Sequence, residues 1–291
     1  MTTTMTMKFR LWREYGALNS KPIFDAFEHS VISNGHSLCN SSDVKSADYH
    51  VIWSVLFNGR MSPNENIWSR ARTFDKPVIV LEVGGIKRGT TWKVALNGIN
   101  RDAYFGEDNF QEDRSRKFNL KLKPWQSKGD YILVCGQHEK SLQWQKMPRM
   151  SQWIMNTIDE VQKHTDRPIV FRPHPRCNLP AIEHQYRNVY RQAPKQIIGS
   201  YDDFDINFNN IHATISYSSN PGIHSIINGV PAFVSPSSLA YDVGNDIDFL
   251  HDIEQPLMPD RTQWLEDYSH TEYTISEIEA GIPLNRLTNS I

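Results

Sequence analysis

Two short turns in this 291-residue chain concentrate the residue types that bind anions. The first is Phe171-Arg172-Pro173-His174-Pro175-Arg176, which puts two guanidinium groups and an imidazole on one tight turn. Arginine suits phosphate because its planar fork donates two parallel hydrogen bonds. His174 lies between two prolines, so its backbone is constrained and its ring is aimed reproducibly. The second turn is Ser216-Tyr217-Ser218-Ser219-Asn220-Pro221-Gly222, where hydroxyls precede a proline suited to the first turn of a helix. Free N–H groups at such a helix start favour a diphosphate, and Ser218, Ser219 and Asn220 add polar groups. Either turn alone is also an ordinary proline loop or helix cap. Together, in this order, they describe a pocket for a phosphorylated ligand.

The elements that must position these turns are strands. Pro168-Ile169-Val170 and Ala213-Thr214-Ile215 run directly into them, so each turn sits at the carboxyl end of a buried strand, where open α/β sheets bind ligands. Gly136-Gln137 follows the strand-like run 130–135 in the same way, and a small residue there lets a ligand approach the backbone. Further strands are expected at 8–12, 49–55, 77–83 and 230–234, and helices at 22–30, 64–74, 150–164 and 263–280, the last stopped by Gly281. Strands alternating with helices indicate the α/β class with mainly parallel sheets. The polar, charged span 109–129 divides the chain, which predicts a lobe at 1–124, a second lobe at 125–262 and a terminal helix and tail at 263–291.

Composition narrows the classes. A hydrophobic fraction of 39% with 22% charged residues supports packed cores and excludes general disorder. The net charge of −2 gives no global attraction to nucleic acid or anionic membrane, so such a partner must be met by a local patch. Cys39, Cys135 and Cys177 are far apart and lack CxxC spacing, which argues against a zinc site or disulfide framework and for a reducing cytoplasm. The N-terminal Met-Thr-Thr-Thr-Met-Thr-Met has no apolar core of a signal peptide, and no apolar run nears the ~20 residues of a membrane span. A cytoplasmic protein without a tightly bound metal or cofactor is expected.

The Arg-Pro-His-Pro turn, the downstream Ser-Ser helix start and Ile-Asn-Gly-Val-Pro-Ala-Phe-Val at 227–234 resemble the donor half of GT-B glycosyltransferases. They look most like the branch of capsule Kdo transferases and polysialyltransferases, over about residues 130–240. That resemblance implies two Rossmann-like lobes with a C-terminal helix crossing back to the first. It also implies a nucleotide-sugar co-substrate, with a UDP-sugar the expected one, whose phosphates His174, Ser218 and Ser219 would hold. Gly136, Gln137, Arg172, Arg176 and Asn220 complete the expected donor set. The first half, with Val80-Leu81-Glu82-Val83-Gly84-Gly85 and Thr91 to Asn100, and the tail with Trp264 and Tyr273 to Ile278, resemble glycosyltransferase-like proteins of tailed phages. Some of these modify hydroxymethylated DNA bases. This implies a 5-hydroxymethylcytosine acceptor in double-stranded DNA and a location in the host cytoplasm.

An acceptor hydroxyl needs a base or a positioning group in the first lobe. Glu82, Asp102 and Asp25 are the candidates, each also readable as a cap or surface acid. Lys87, Arg88, Lys93 and Arg101, with the basic loop 114–123, could meet DNA phosphates or an anionic glycan. Transfer to capsule or lipopolysaccharide, and a non-catalytic binding protein on the same scaffold, are the alternatives.

Overall fold

Unbroken apolar runs become the inner strands. In a computed structural model, which describes residues 5–126, 128–200 and 202–288, the chain forms two units, 1–114 with 267–291 and 115–266. The boundaries expected from the sequence fall at 124/125 and 262/263. Residues 1–4 of the N-terminal segment lie outside the described residues.

The first unit opens with Lys8–Leu11 (β1), Lys21–Ser33 (α1), Ser37–Leu38 (β2), Tyr49–Trp53 (β3), Pro63–Thr73 (α2), Val78–Val83 (β4) and Trp92–Leu96 (β5). All five residues of β3 are buried, as are the first four of β4. Strands β2, β1, β3 and β4 lie side by side and parallel. The next strand, β5, runs antiparallel to β4 and carries the chain back to the amino edge. There the Asn97 side chain accepts the Val78 N–H at 2.9 Å. In α1, Ile23, Phe24, Phe27 and Val31 share one face, the 3.6-residue period expected from the sequence.

The second unit contains Tyr131–Cys135 (β6), Ile169–Arg172 (β7), Val189–Arg191 (β8), Lys195–Gln196 (β9), Phe204–Asp205 (β10), Ile211–Ser216 (β11), Ala232–Val234 (β12) and Asn245–Asp246 (β13). Its helices are Arg114–Lys117 (α3, beginning at the boundary), Met150–Val161 (α4), Asn220–Ile227 (α5) and Thr262–Ser269 (α6, ending beyond it). The sheet order is β13-β12-β11-β6-β7-β8, all parallel. Strand β6 enters first and stays central. The chain fills one side and then the other, which makes β6/β11 the topological switch point. On one face α4 buries Met150, Trp153, Ile154, Ile158 and Val161 against Ile132, Val134, Phe171 and Ile215. Each fully buried aliphatic or aromatic side chain contributes about 1.5–3 kcal/mol against chain entropy.

The expected single helix at 263–280 is broken. After α6 come the strand Glu272–Tyr273 (β14), antiparallel to β5, then Ile275–Glu279 (α7) and Ile282–Thr288 (α8). Thr274 restarts the helix through a reciprocal capping box with Glu277. Residues 267–291 group with the first unit, where Ile278, Leu284 and Leu287 join Phe24 and Phe27 in one core. Arg114, expected on a basic surface loop, is instead fully buried. Its guanidinium grips Glu277 at 2.7 and 2.9 Å, donates to the Ser269 and Glu272 carbonyls and stacks on Phe110. It is a brace for the returning segment.

Candidate functional site

The second sheet fixes its ligand edge by register. Cys135 at the end of β6 pairs with Ser216 on β11 and with Arg172 on β7. Directly opposed residues point to the same side, so these side chains share one face. It is the face α5 packs on, since Ser225 of α5 donates to Thr214 of β11 at 2.8 Å. Arg172 is only 8% exposed, yet its guanidinium makes no hydrogen bond or ion pair among the described residues. Burial pulls its pKa down, and Asp205 opposes this only at a distance. An unpaired buried charge is expensive, which makes Arg172 a strong anion receptor. The Cys135 thiol beside it is pushed up to about 12 by burial and stays neutral.

At the start of α5 the serines divide their roles. The Ser218 N–H and hydroxyl both donate to Gln137 Oε1, at 3.1 and 3.2 Å. Gln137 therefore braces the β6 loop to the β11 loop across the switch point. Ser219 caps α5 in extended conformation, and its hydroxyl exchanges a hydrogen bond with Ser216 at 2.9 Å. The backbone N–H groups of Ser219 and Asn220 donate to nothing among the described residues. Pro221 follows at an early helical position, as expected. The anion-binding groups here are thus the backbone N–H donors, with Gln137 and Ser218 holding their frame.

The Arg-Pro-His-Pro turn separates its two guanidiniums. Arg172 ends the strand and faces the sheet, while Arg176 is ion-paired with Asp202 at 2.7 Å in a half-exposed position. His174 accepts the Arg176 N–H on Nδ1 at 3.1 Å. Its ring meets that of His138 edge to face, with centroids 5.5 Å apart. Gly136 is not demanded by internal packing: a Cβ there would make ordinary contacts of 3.4–3.6 Å with Met150, Ile154 and His174.

In the first unit the acidic and basic candidates scatter. Glu82 is next to last in β4 and stands between two features. Ser54, on the neighbouring strand's end, has a left-handed backbone with φ 63°, and Lys93 lies directly opposite on β5. Burial pushes the Glu82 carboxyl up, with the Ser54 hydroxyl, the Val83 N–H and Lys93 favouring its charged form. Lys93 is itself opposite Glu272 of β14, so Glu82, Lys93 and Glu272 form one row across three strands. Only 4% exposed, Lys93 is withdrawn from any outside phosphate. Fully buried Glu272 accepts the N–H groups of Gly85 and Ile86 and the Thr91 hydroxyl. Gly84 is required there, because a Cβ would sit 2.0 Å from the Thr91 carbonyl. Lys87 is exposed on this loop, and Arg88 donates to the Gly84 carbonyl.

The other acids go elsewhere. Asp25 on α1 is held below its usual range by hydrogen bonds from Lys21 and Arg13. Asp102 and Arg101 lie on the loop after β5, which the antiparallel turn puts at the amino edge, opposite Glu82. The structure does not bring Asp102 and Glu82 together. Among the described residues no cluster of His, Cys, Asp and Glu could hold a metal ion, and no helix is long and apolar enough to cross a membrane.

The sequence matches no protein-family model and no curated protein. Among solved structures, it is similar to the KpsC beta Kdo 2,7 transferase of Thermosulfurimonas dismutans, with a TM-score of 0.57 and 16% identity over 97% of this chain and 100% of that one. The chain has the GT-B fold. The beta Kdo 2,4 transferase of the same KpsC has a TM-score of 0.48 at 12% identity, over 96% of this chain and 99% of that one.

Within this GT-B chain, His138 and Glu272 do not stand out as site residues in the sequence, nor does the row that joins Glu272 to the expected candidates Glu82 and Lys93. His138 carried a usable signal, since it follows Gly136-Gln137 after a strand end just as His174 follows Arg172-Pro173. The row carried none, because it exists only once β5 and β14 pair.

Proposed function

We propose that the protein is a glycosyltransferase whose donor is a nucleoside diphosphate sugar, held by its phosphates at the carboxyl edge of the second sheet. The observation that carries this reading is Arg172, buried and without a partner on the face where α5 begins. The GT-B fold supports it. The assigned nucleotide is UDP. An acceptor hydroxyl attacks the anomeric carbon, the bond from that carbon to the β-phosphate oxygen breaks, and the proton passes to a base. Arg172 and the Ser219 and Asn220 N–H groups stabilise the charge left on the diphosphate. Glu82 is the base we assign, because burial has raised its proton affinity and Ser54 holds it beside a strained turn.

The sequence suggests 5-hydroxymethylcytosine in DNA as the acceptor. Of the cations expected to meet DNA, however, Lys93 and Arg114 are buried and Arg101 lies on the far edge, leaving Lys87 and Arg88 in the first unit and Arg116, Lys117, Lys121 and Lys123 in the second. Duplex binding rests on several phosphate contacts, and in the first unit only Lys87 and Arg88 remain to supply them. The acceptor we favour is a saccharide hydroxyl, in keeping with the beta Kdo 2,7 transferase of similar fold. The test is incubation with UDP-sugars and three acceptors: hydroxymethylated DNA, unmodified DNA, and capsule or lipopolysaccharide oligosaccharides, read by added mass. Transfer to the oligosaccharides is expected. Transfer to hydroxymethylated DNA alone would restore the DNA acceptor. Nucleotide binding with neither transfer nor donor hydrolysis would leave a binding protein.

A further inference from the structure

Resting on this donor-site reading, we infer that His138 and His174 act as a pair of neutral N–H donors to the donor's diphosphate. Only His174 belongs to the turn that marks the site in the sequence. His138 comes from the adjacent strand end, after β6, and its ring packs against that of His174.

The hydrogen bonds fix both tautomers. His138 Nδ1 accepts the Lys140 N–H at 3.1 Å, and His174 Nδ1 accepts the Arg176 N–H at 3.1 Å. A nitrogen that accepts carries no proton, so each neutral ring holds its proton on Nε2. The two turns use the same device, an imidazole capping the N–H two residues on. Each therefore presents Nε2–H away from its own backbone. His138 is 8% exposed, and its Nε2 has no hydrogen-bond partner among the described residues. Burial lowers its pKa, with Lys140 and Arg176 acting in the same direction against Glu139, so the ring stays neutral.

This arrangement divides the work on a diphosphate. Arg172 supplies fixed charge, while the imidazoles supply directed donors without adding charge. Donation from the edges of two adjacent parallel strands, about 5 Å apart, suits oxygens of one diphosphate. The paired rings would thereby select a diphosphate over a neutral sugar.

Two conservative variants separate the ring nitrogens. In His138→Asn the amide can replace Nδ1 and keep the Lys140 turn, but nothing replaces Nε2. In His138→Gln the amide reaches the Nε2 position. We expect the Asn variant to fold normally and bind UDP about tenfold more weakly, and the Gln variant to stay within about threefold. In the wild-type protein, long-range proton–nitrogen NMR should show both rings protonated at Nε2, and UDP or pyrophosphate should shift both Nε2 signals. His138 protonated at Nδ1, an Asn variant that binds UDP as wild type does, or a shift at His174 alone would overturn the pair while leaving the donor site standing. No shift at either ring, with no UDP binding, would remove the donor site itself.

Discussion

Replacing Arg172 by methionine should make the protein more stable and less able to bind nucleotide. Methionine matches the stem of arginine but removes a charge that is 8% exposed and has no hydrogen-bonded acceptor. An unpaired ion in such a place costs several kcal/mol in the idealised case. With its residual exposure and the distant pull of Asp205, a gain of about 1–3 kcal/mol is reasonable for the variant. In a unit of this size each kcal/mol raises Tm by roughly 2–4 °C, so a rise of about 2–12 °C is expected. The same change deletes a charge-assisted fork worth about 1.5–3 kcal/mol, which weakens UDP binding by roughly 10- to 150-fold. Scanning calorimetry gives the first quantity and titration calorimetry the second. A structural arginine would behave oppositely. A fall in Tm with unchanged UDP affinity would refute the reasoning.

Other changes test other parts of the molecule. Glu82→Gln should lower kcat by about 10²–10⁴ with UDP affinity unchanged, because the base is lost and the donor site is not touched. In the wild type, kcat should rise with pH through a carboxyl titration above the usual glutamate value, and that acidic limb should vanish in the variant. Glu277→Ala strands the buried Arg114 and should cost about 3–5 kcal/mol in chemical denaturation, whereas a loss below about 1 kcal/mol would show the brace to be dispensable. Fully buried His50 has its pKa lowered by burial, so the unfolded chain binds its proton more readily. The stability it contributes is present above about pH 6.5 and is lost as pH falls through that unfolded value, by up to about 1.4 kcal/mol per pH unit. A His50→Gln variant should show a shallower loss between pH 6.5 and 5, and an unchanged slope would contradict this.

The donor edge was legible because its chemistry is local. Each expected turn follows a run such as Ile169-Val170-Phe171 or Ala213-Thr214-Ile215, so strand end and functional group are read from one short window. What the window could not show was division of labour. Arg172 and Arg176 are four residues apart, but one faces the sheet and the other pairs with Asp202, which depends on the 202–205 segment. The first unit was harder. Lys93 in Trp92-Lys93-Val94-Ala95-Leu96 looked like part of a surface cluster, because the antiparallel strand that buries it is recognised only from its pairing with β4 and β14. The C-terminal segment reads as one helix from sequence because Trp264, Leu265 and Tyr268 before the break and Ile275 and Ile278 after it all keep helical spacing. Thr274 and Glu277, at capping-box spacing, were the visible sign that a second helix begins.

A crystal structure of the protein with UDP tests the donor site most directly. The diphosphate is expected at the start of α5, with its oxygens about 3 Å from the Ser219 and Asn220 N–H groups and from the Arg172 guanidinium. UDP bound elsewhere, with Arg172 still unpaired, would contradict the assignment.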